Sequence, residues 1–219
     1  MNITWLGQSC FKIEDKVDGF PVVIITDPYD KQIGFRVPKM KADILTISHD
    51  HSGHNNVTAV EGIDQTDPIV FDRPGEYETK GVFIKGFGSY HDNKEGEERG
   101  KSTMFRFNIN GIRLLHLGDL GTVLSDNQLS RLENVDILFI PVGGKDTIDA
   151  KEAAAVVRQI EPRIVIPMHY KIPGLKADIE GVDGFKKEMG NGAEELTKFK
   201  IAAKDLPQDA IKLIILNKS

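Results

Sequence analysis

The sequence predicts an α/β fold in which stacked β-sheets face each other and helices pack outside. Two observations carry this. The first half of the chain is a run of short, β-branched segments separated by turn residues, which reads as mostly antiparallel strands. The second half alternates N-capped amphipathic segments with apolar ones, which reads as helix and strand in turn. A third observation places chemistry on that frame: histidines and one aspartate recur where apolar strands end.

In order along the chain, ITWLG, CFKIE and PVVIITD are expected strands, with DGFP as a turn between the last two. ADILTIS is expected to be one buried strand running directly into HDHSGHNN. PIVFD, EYETKGVFIKGF, TMFRFNI and IRLLHLG follow as strands, and Asn110-Gly111 predicts a two-residue hairpin between the last two. SDNQLSRLENV opens with a helix cap at Ser125 or Asp126. DILFIPVGG reads as a buried strand. Asp149 opens AKEAAAVVRQIEP, whose apolar stripe gives a helix that stops at Pro162. RIVIPMHY is the next strand, VDGFKKEMGNG a short helix and IKLIIL the last strand. Residues 93–101 and 174–184 read as loops. No low-complexity linker divides the 219 residues, so 1–219 is expected to form one domain.

Composition narrows the function. The net charge is -5 and no Lys/Arg-rich run occurs, so nucleic acid is a poor partner and a small-molecule substrate is favoured. A single cysteine, Cys10, excludes an intrachain disulfide and a thiolate zinc site. The apolar stretches fall short of the ~20 residues of a membrane-spanning helix. The N-terminus lacks a basic, then apolar, leader pattern, so a cytoplasmic protein is expected, with oligomerisation open.

Three of the six histidines fall together as His49-Asp50-His51-Ser52-Gly53-His54. In extended chain His49 and His51 project to the same side, while Asp50 points away. Ser52 is expected to cap a helix whose first turn carries His54. Imidazoles converging at a strand mouth suit a zinc-type cation. His91 in GSYHDN, Asp119 in LLHLGDLG and His169 in RIVIPMHY each end an apolar strand, and strand ends on one rim converge. Gly118 and Gly121 allow close backbone approach and positive φ beside Asp119.

This set of residues, in this order, resembles the metallo-β-lactamase superfamily, whose pattern is H-x-H-x-D-H, a downstream His, an Asp after Gly, and a late His. Asp27 in VVIITDPY matches the family's early buried Asp. RPGEYE, HLGDLG, PVGG and IPMHY bring the chain near the branch related to ascorbate-6-phosphate lactonase. The resemblance implies an αββα sandwich of two mixed sheets with a metal site at one edge. It implies one or two zinc ions, with Mn2+ or Fe2+ as alternatives. One ion would take His49, His51 and His91; the other would take His54 and His169, with Asp119 bridging at the catalytic centre. A bridging water of lowered pKa would attack an ester, lactone, amide or phosphoester. A di-iron oxidoreductase is disfavoured because His51 stands where such proteins tend to carry an acid.

The chain departs from the pattern at Gly53, which replaces the Asp before His54. Three outcomes stay open: a weakly held second metal, a single metal, or a binding role without hydrolysis. Among supporting residues, Asp27 is expected to receive an N–H from a ligating imidazole. His116 is a candidate catalytic group or a packed core histidine. Tyr170, Arg73 and Lys101 are candidate substrate contacts, the last two for an anionic substrate. Trp5 and Cys10 read as core.

Overall fold

The computed structural model describes residues 1–190 and 192–219; Asn191, at the end of the segment expected as a short helix, lies outside them. The described residues form β1 (Asn2–Gly7), β2 (Cys10–Val17), β3 (Phe20–Thr26), β4 (Met40–Ala42), β5 (Ile44–Thr46), β6 (Val60–Gly62), β7 (Ile69–Phe71) and β8 (Gly75–Thr79). They continue with β9 (Val82–Tyr90), β10 (Lys101–Ile109), β11 (Ile112–His116), α1 (Asp126–Leu132), β12 (Ile137–Pro141), α2 (Ala150–Ile160) and β13 (Ile164–Met168). The chain closes with α3 (Asp183–Glu188), β14 (Ala193–Leu196), β15 (Phe199–Lys200) and β16 (Lys212–Leu216).

These elements make two mixed sheets, in the orders β15-β1-β2-β3-β5-β7 and β14-β16-β13-β12-β11-β10-β9-β8, plus a β4-β6 ribbon. The period-2 alternation of the strands explains why both faces of the first sheet are buried. Ile24 and Ile44 join the main core with Phe105, Phe107 and Phe139 of the second sheet. Their neighbours Ile25 and Leu45 face a separate cluster with Tyr29, Phe35, Met40, Val60 and Leu175. That outer cluster is built from loops and the β4-β6 ribbon. On the other side α2 adds Ala153, Ala154, Val156 and Val157 to the main core. The two-sheet sandwich is therefore as expected, with its helices concentrated in the second half.

Local chemistry accounts for the element ends. Ser125 caps α1 and Asp149 caps α2, each with a reciprocal bond to the residue three positions on. Asn110 and Gly111 take φ of 50° and 77°, the primed turn that pairs Ile109 with Ile112.

Three sequence expectations change. EYETKGVFIKGF is the hairpin β8–β9, because Lys80 and Gly81 both take positive φ and Thr79 pairs with Val82. ADILTIS splits at Asp43, whose carboxylate binds the Val23 N–H at 2.9 Å and pairs with Lys80, so β4 and β5 join different sheets. Ser52 caps no helix. The turn that bonds the His54 N–H to the His51 carbonyl at 2.8 Å stops because Asn56 bonds back to the Pro28 and Tyr29 carbonyls. Residues 174–182 carry no helix or strand, as expected of a loop, although Leu175 and Ile179 are buried, and α3 begins at Asp183.

Asp136, 1% exposed at the entry to β12, ties strands together: it accepts the Arg113 backbone N–H at 2.8 Å and the Arg113 Nε–H and Nη2–H at 2.9 Å each. Burial pushes its pKa up, but the Arg113 bonds outweigh that and hold it below the usual carboxylate value. A depressed folded pKa adds stability that is present above the unfolded value of about 4 and is lost as pH falls. Asp136→Asn is expected to cost about 2 kcal/mol at pH 7, the worth of a charged hydrogen bond. In urea melts the gap to the wild type should narrow at about pH 3.

Candidate metal centre

Strand ends build the site. β3 ends one residue before Asp27, β5 three residues before His49, β9 one before His91, β11 three before Asp119, and β13 one before His169. Asp27 and His169 take φ of 40° and 50°, in the left-handed region that non-glycine residues seldom occupy. Local bonds hold both: the Asp27 N–H donates to Thr46 O at 2.9 Å and the His169 N–H to Gln8 O at 3.1 Å. Backbone strain of this kind concentrates at functional sites.

The side chains converge on one oxygen. Asp119 Oδ2 lies 3.0 Å from His54 Nε2, 3.3 Å from His91 Nε2, 3.3 Å from His169 Nε2 and 3.8 Å from His49 Nε2. Asp119 Oδ1 takes the Ser9 hydroxyl at 3.4 Å. His51, the exposed member, packs its ring 4.5 Å from that of His49 and 5.2 Å from that of His91. Two triads have donor atoms within 4.8 Å of one another: His49, His51 and His91, and His49, His54 and Asp119. The structure thus brings all six expected ligands together.

Asp27 supports this cluster as expected. Its carboxylate accepts the His54 Nδ1–H at 3.0 Å, the Ser48 N–H at 2.8 Å and the Ser48 hydroxyl at 2.5 Å. Asp50 is exposed and accepts from Asn55, so it does not stand in for the missing acid at position 53.

Charge balance at the cluster is tight. Burial pulls the His54 imidazole down, but the Asp119 and Asp27 carboxylates outweigh it and lift the pKa to about 10. Burial raises Asp119, but His169 and His54 hold it well below the ordinary carboxylate value. Burial and the neighbouring His54 charge push His49 down to about 3, so its ring is neutral.

A divalent cation fits these residues. Among the described residues the buried His49 Nε2 has no hydrogen-bond partner, and the Nε2 atoms of His54, His91 and His169 all face Asp119 Oδ2. With His54 Nδ1 committed to Asp27, its Nε2 faces Asp119 Oδ2, where a cation would replace the proton the two share. Neutral imidazoles and one carboxylate are the donor set of a zinc-type site.

Four expected roles shift. His116 is fully buried; its Nε2–H donates to Ser9 O at 2.9 Å and its Nδ1 accepts the Gly118 N–H at 3.2 Å. With both nitrogens engaged it braces the loops carrying Ser9 and Asp119 and does not face the cleft. Tyr170 is also core: its ring lies 4.9 Å from that of Trp5 and its hydroxyl donates to Leu216 O at 3.5 Å. Arg73 is exposed and pairs with Asp72, and Lys101 is exposed at the start of β10; no hydrogen bond or ion pair joins either to the cluster among the described residues. The cations beside the cluster are instead Arg99 and Lys145, in the wall of a cavity of about 290 Å³ that also touches His91 and Gly121.

Sequence reading missed Asp92. Its carboxylate takes the backbone N–H groups of Lys94, Gly96, Glu98 and Arg99 at 2.8–3.1 Å, which winds the loop after His91 around one charge. Burial opposes ionisation there, but these bonds hold the pKa down to about 2. An Asp directly after a strand-end His was the available signal. Gly118 takes positive φ as expected, 56°, whereas Gly121 is needed for close approach alone: a Cβ there would sit 2.3 Å from the His91 carbonyl carbon.

Comparison with known proteins agrees with this geometry. A family model described as a beta-lactamase superfamily domain matches residues 2–169, a span that holds every expected ligand. A Carboxydothermus hydrogenoformans protein named UPF0173 metal-dependent hydrolase is 28% identical over 205 residues, covering 82% of this chain and 89% of the relative. A Thermotoga maritima structure, described as a candidate zinc-dependent hydrolase of the metallo-β-lactamase superfamily, is 34% identical, covers 99% of each chain and gives a TM-score of 0.78. A Parabacteroides distasonis structure at 18% identity shares the fold, with a TM-score of 0.68 over 98% of this chain and 91% of that one. With its strand-end imidazoles gathered on one buried carboxylate, this chain belongs to the metallo-β-lactamase superfamily.

Proposed function

We propose that the protein is a zinc-dependent hydrolase of a small-molecule ester, lactone, amide or phosphoester. The observation that carries this reading is the convergence of four Nε2 atoms on Asp119 Oδ2, with the His49 Nε2 buried and unpaired. His49, His51 and His91 would hold one ion; His54 and His169 would hold a second, with Asp119 between. When bound, the ions supply Lewis acidity and lower the pKa of a coordinated water to near 7.

The chain's own residues supply position. Asp27 fixes the His54 tautomer and leaves its Nε2 lone pair toward the cluster. Ser9 and His116 brace Asp119 and the loop behind it. Asp92 sets the loop that follows His91. Arg99 and Lys145 stand at the adjoining cavity, although Arg99 is engaged by Asp146 at 2.7 Å and Lys145 by Asp178. The two cations of this wall are thus already paired, and Asp92, Glu98, Asp149 and Glu152 stand beside them.

A second reading, a metal-binding protein without turnover, is favoured by one observation. Gly53 does not take positive φ, and a Cβ there would meet only Ile33 Cγ2 at 3.9 Å. Neither the backbone nor a clash at Cβ demands glycine at this buried position.

Purified protein is expected to carry one to two zinc equivalents by elemental analysis and to cleave a generic ester or phosphodiester, with activity abolished by chelator and restored by zinc. Bound zinc without turnover across ester, lactone, amide and phosphodiester panels would favour the second reading. Gly53→Asp fits the backbone and is expected to raise zinc stoichiometry toward two and tighten the weaker site; unchanged titrations would show that position 53 does not limit binding. Gly121→Ala, by displacing His91, should weaken zinc binding about tenfold or more, a loss comparable to disturbing the support of a ligand.

A further inference from the structure

We propose that Ser48 is a positioning residue through which the Asp27 carboxylate also orients His49, so that one buried acid sets an imidazole in each half of the centre. The inference rests on the metal-site reading above and adds a residue to it.

Hydrogen-bond direction makes the case. Ionised Asp27 can only accept. Its Oδ1 takes the Ser48 backbone N–H at 2.8 Å, and its Oδ2 takes both the Ser48 hydroxyl at 2.5 Å and the His54 Nδ1–H at 3.0 Å. The Ser48 proton is therefore spent on Asp27. Its oxygen, 2.9 Å from His49 Nδ1, is left to accept from that nitrogen. The proton of His49 then sits on Nδ1 and the lone pair on Nε2, the buried nitrogen that has no hydrogen-bond partner among the described residues. A serine serving only itself needs one bond; Ser48 makes a donor and an acceptor bond in series.

The surroundings lock the side chain in that pose. Ser48 is 2% exposed, and its carbonyl accepts the Thr103 N–H at 2.8 Å. On one side the backbone of Gly118 comes so near that an added Cβ would lie 2.7 Å from Ser48 Cβ. The hydroxyl has little freedom to leave Asp27. Ser48 is thus coupled to the Asp119 loop through Gly118 and to the two histidines through Asp27.

The test is titration of the full-length chain with Co2+, read by d–d absorption, and with Zn2+, read by chelator competition. Ser48→Ala should lower affinity for the ion at His49 about ten- to hundredfold and change its Co2+ spectrum, while Ser48→Thr, which keeps the hydroxyl, should stay within about threefold of wild type. The affinity loss at His49 in the double variant Ser48→Ala/Asp27→Asn should be no larger than in Asp27→Asn alone, because both act through one chain of bonds. Wild-type affinity and spectrum in Ser48→Ala, or additive losses in the double variant, would overturn the assignment. If Ser48→Ala does not fold, ¹⁵N shifts of the zinc-loaded wild type decide: His49 should be protonated at Nδ1, and a bare Nδ1 overturns it. A wild type that takes up no metal would sink the proposed function and this inference together; metal uptake indifferent to Ser48 would sink only the inference.

Discussion

The structure depends on keeping one carboxylate charged although its side chain is almost wholly buried. Asp119 is 2% exposed, and an isolated buried carboxylate would be too costly to keep ionised. Here its Oδ2 has four imidazole nitrogens within 4 Å and its Oδ1 has the Ser9 hydroxyl. The same crowding is costly for the imidazoles, since His49 is driven neutral while His54 is driven charged. A divalent cation resolves both demands, because it pairs with the carboxylate and takes the lone pairs of neutral rings.

The sandwich exists to deliver those groups. Parallel pairing of β3, β5 and β7 in one sheet, and of β11, β12 and β13 in the other, points several strand exits the same way. Residues just beyond those exits then meet, although they are far apart in sequence. Apolar packing on both faces of the first sheet fixes where each exit lies. The second sphere follows the same economy: Asp27, Ser48, Ser9 and His116 are all buried and all spend their polar atoms on the ligands or on the loops that carry them.

The ligand set was legible because each member is a polar residue ending an apolar run, a pattern that sequence shows directly. Asp27 was legible for the same reason. Roles that depend on which way a side chain turns were not. His116 and His169 both end apolar strands, yet one ring turns into the core and the other into the cluster, and nothing in the flanking residues distinguishes them. Tyr170 follows a ligand, but beyond the strand end and the left-handed His169 its ring packs onto Trp5. Arg73 and Lys101 lie near turns in the sequence, whereas the cavity beside His91 is walled by Arg99 and Lys145 from two loops whose path no periodicity encodes. The β8–β9 hairpin was hidden because Lys80-Gly81 lacks the Asn or Asp that usually marks a primed turn, though Gly81 supplies half of it. Gly53 was visible as a departure, but only its negative φ and the room for a Cβ show that its backbone does not require glycine.

The central claim is that these imidazoles share a cation. Crystals grown with zinc and measured on both sides of the zinc absorption edge address it directly. The account predicts an anomalous peak within bonding distance, about 2.0–2.1 Å, of at least three histidine nitrogens from the set His49, His51, His54, His91 and His169. Zinc-soaked crystals with no anomalous density among those rings, or with the rings turned from a common centre, would contradict it.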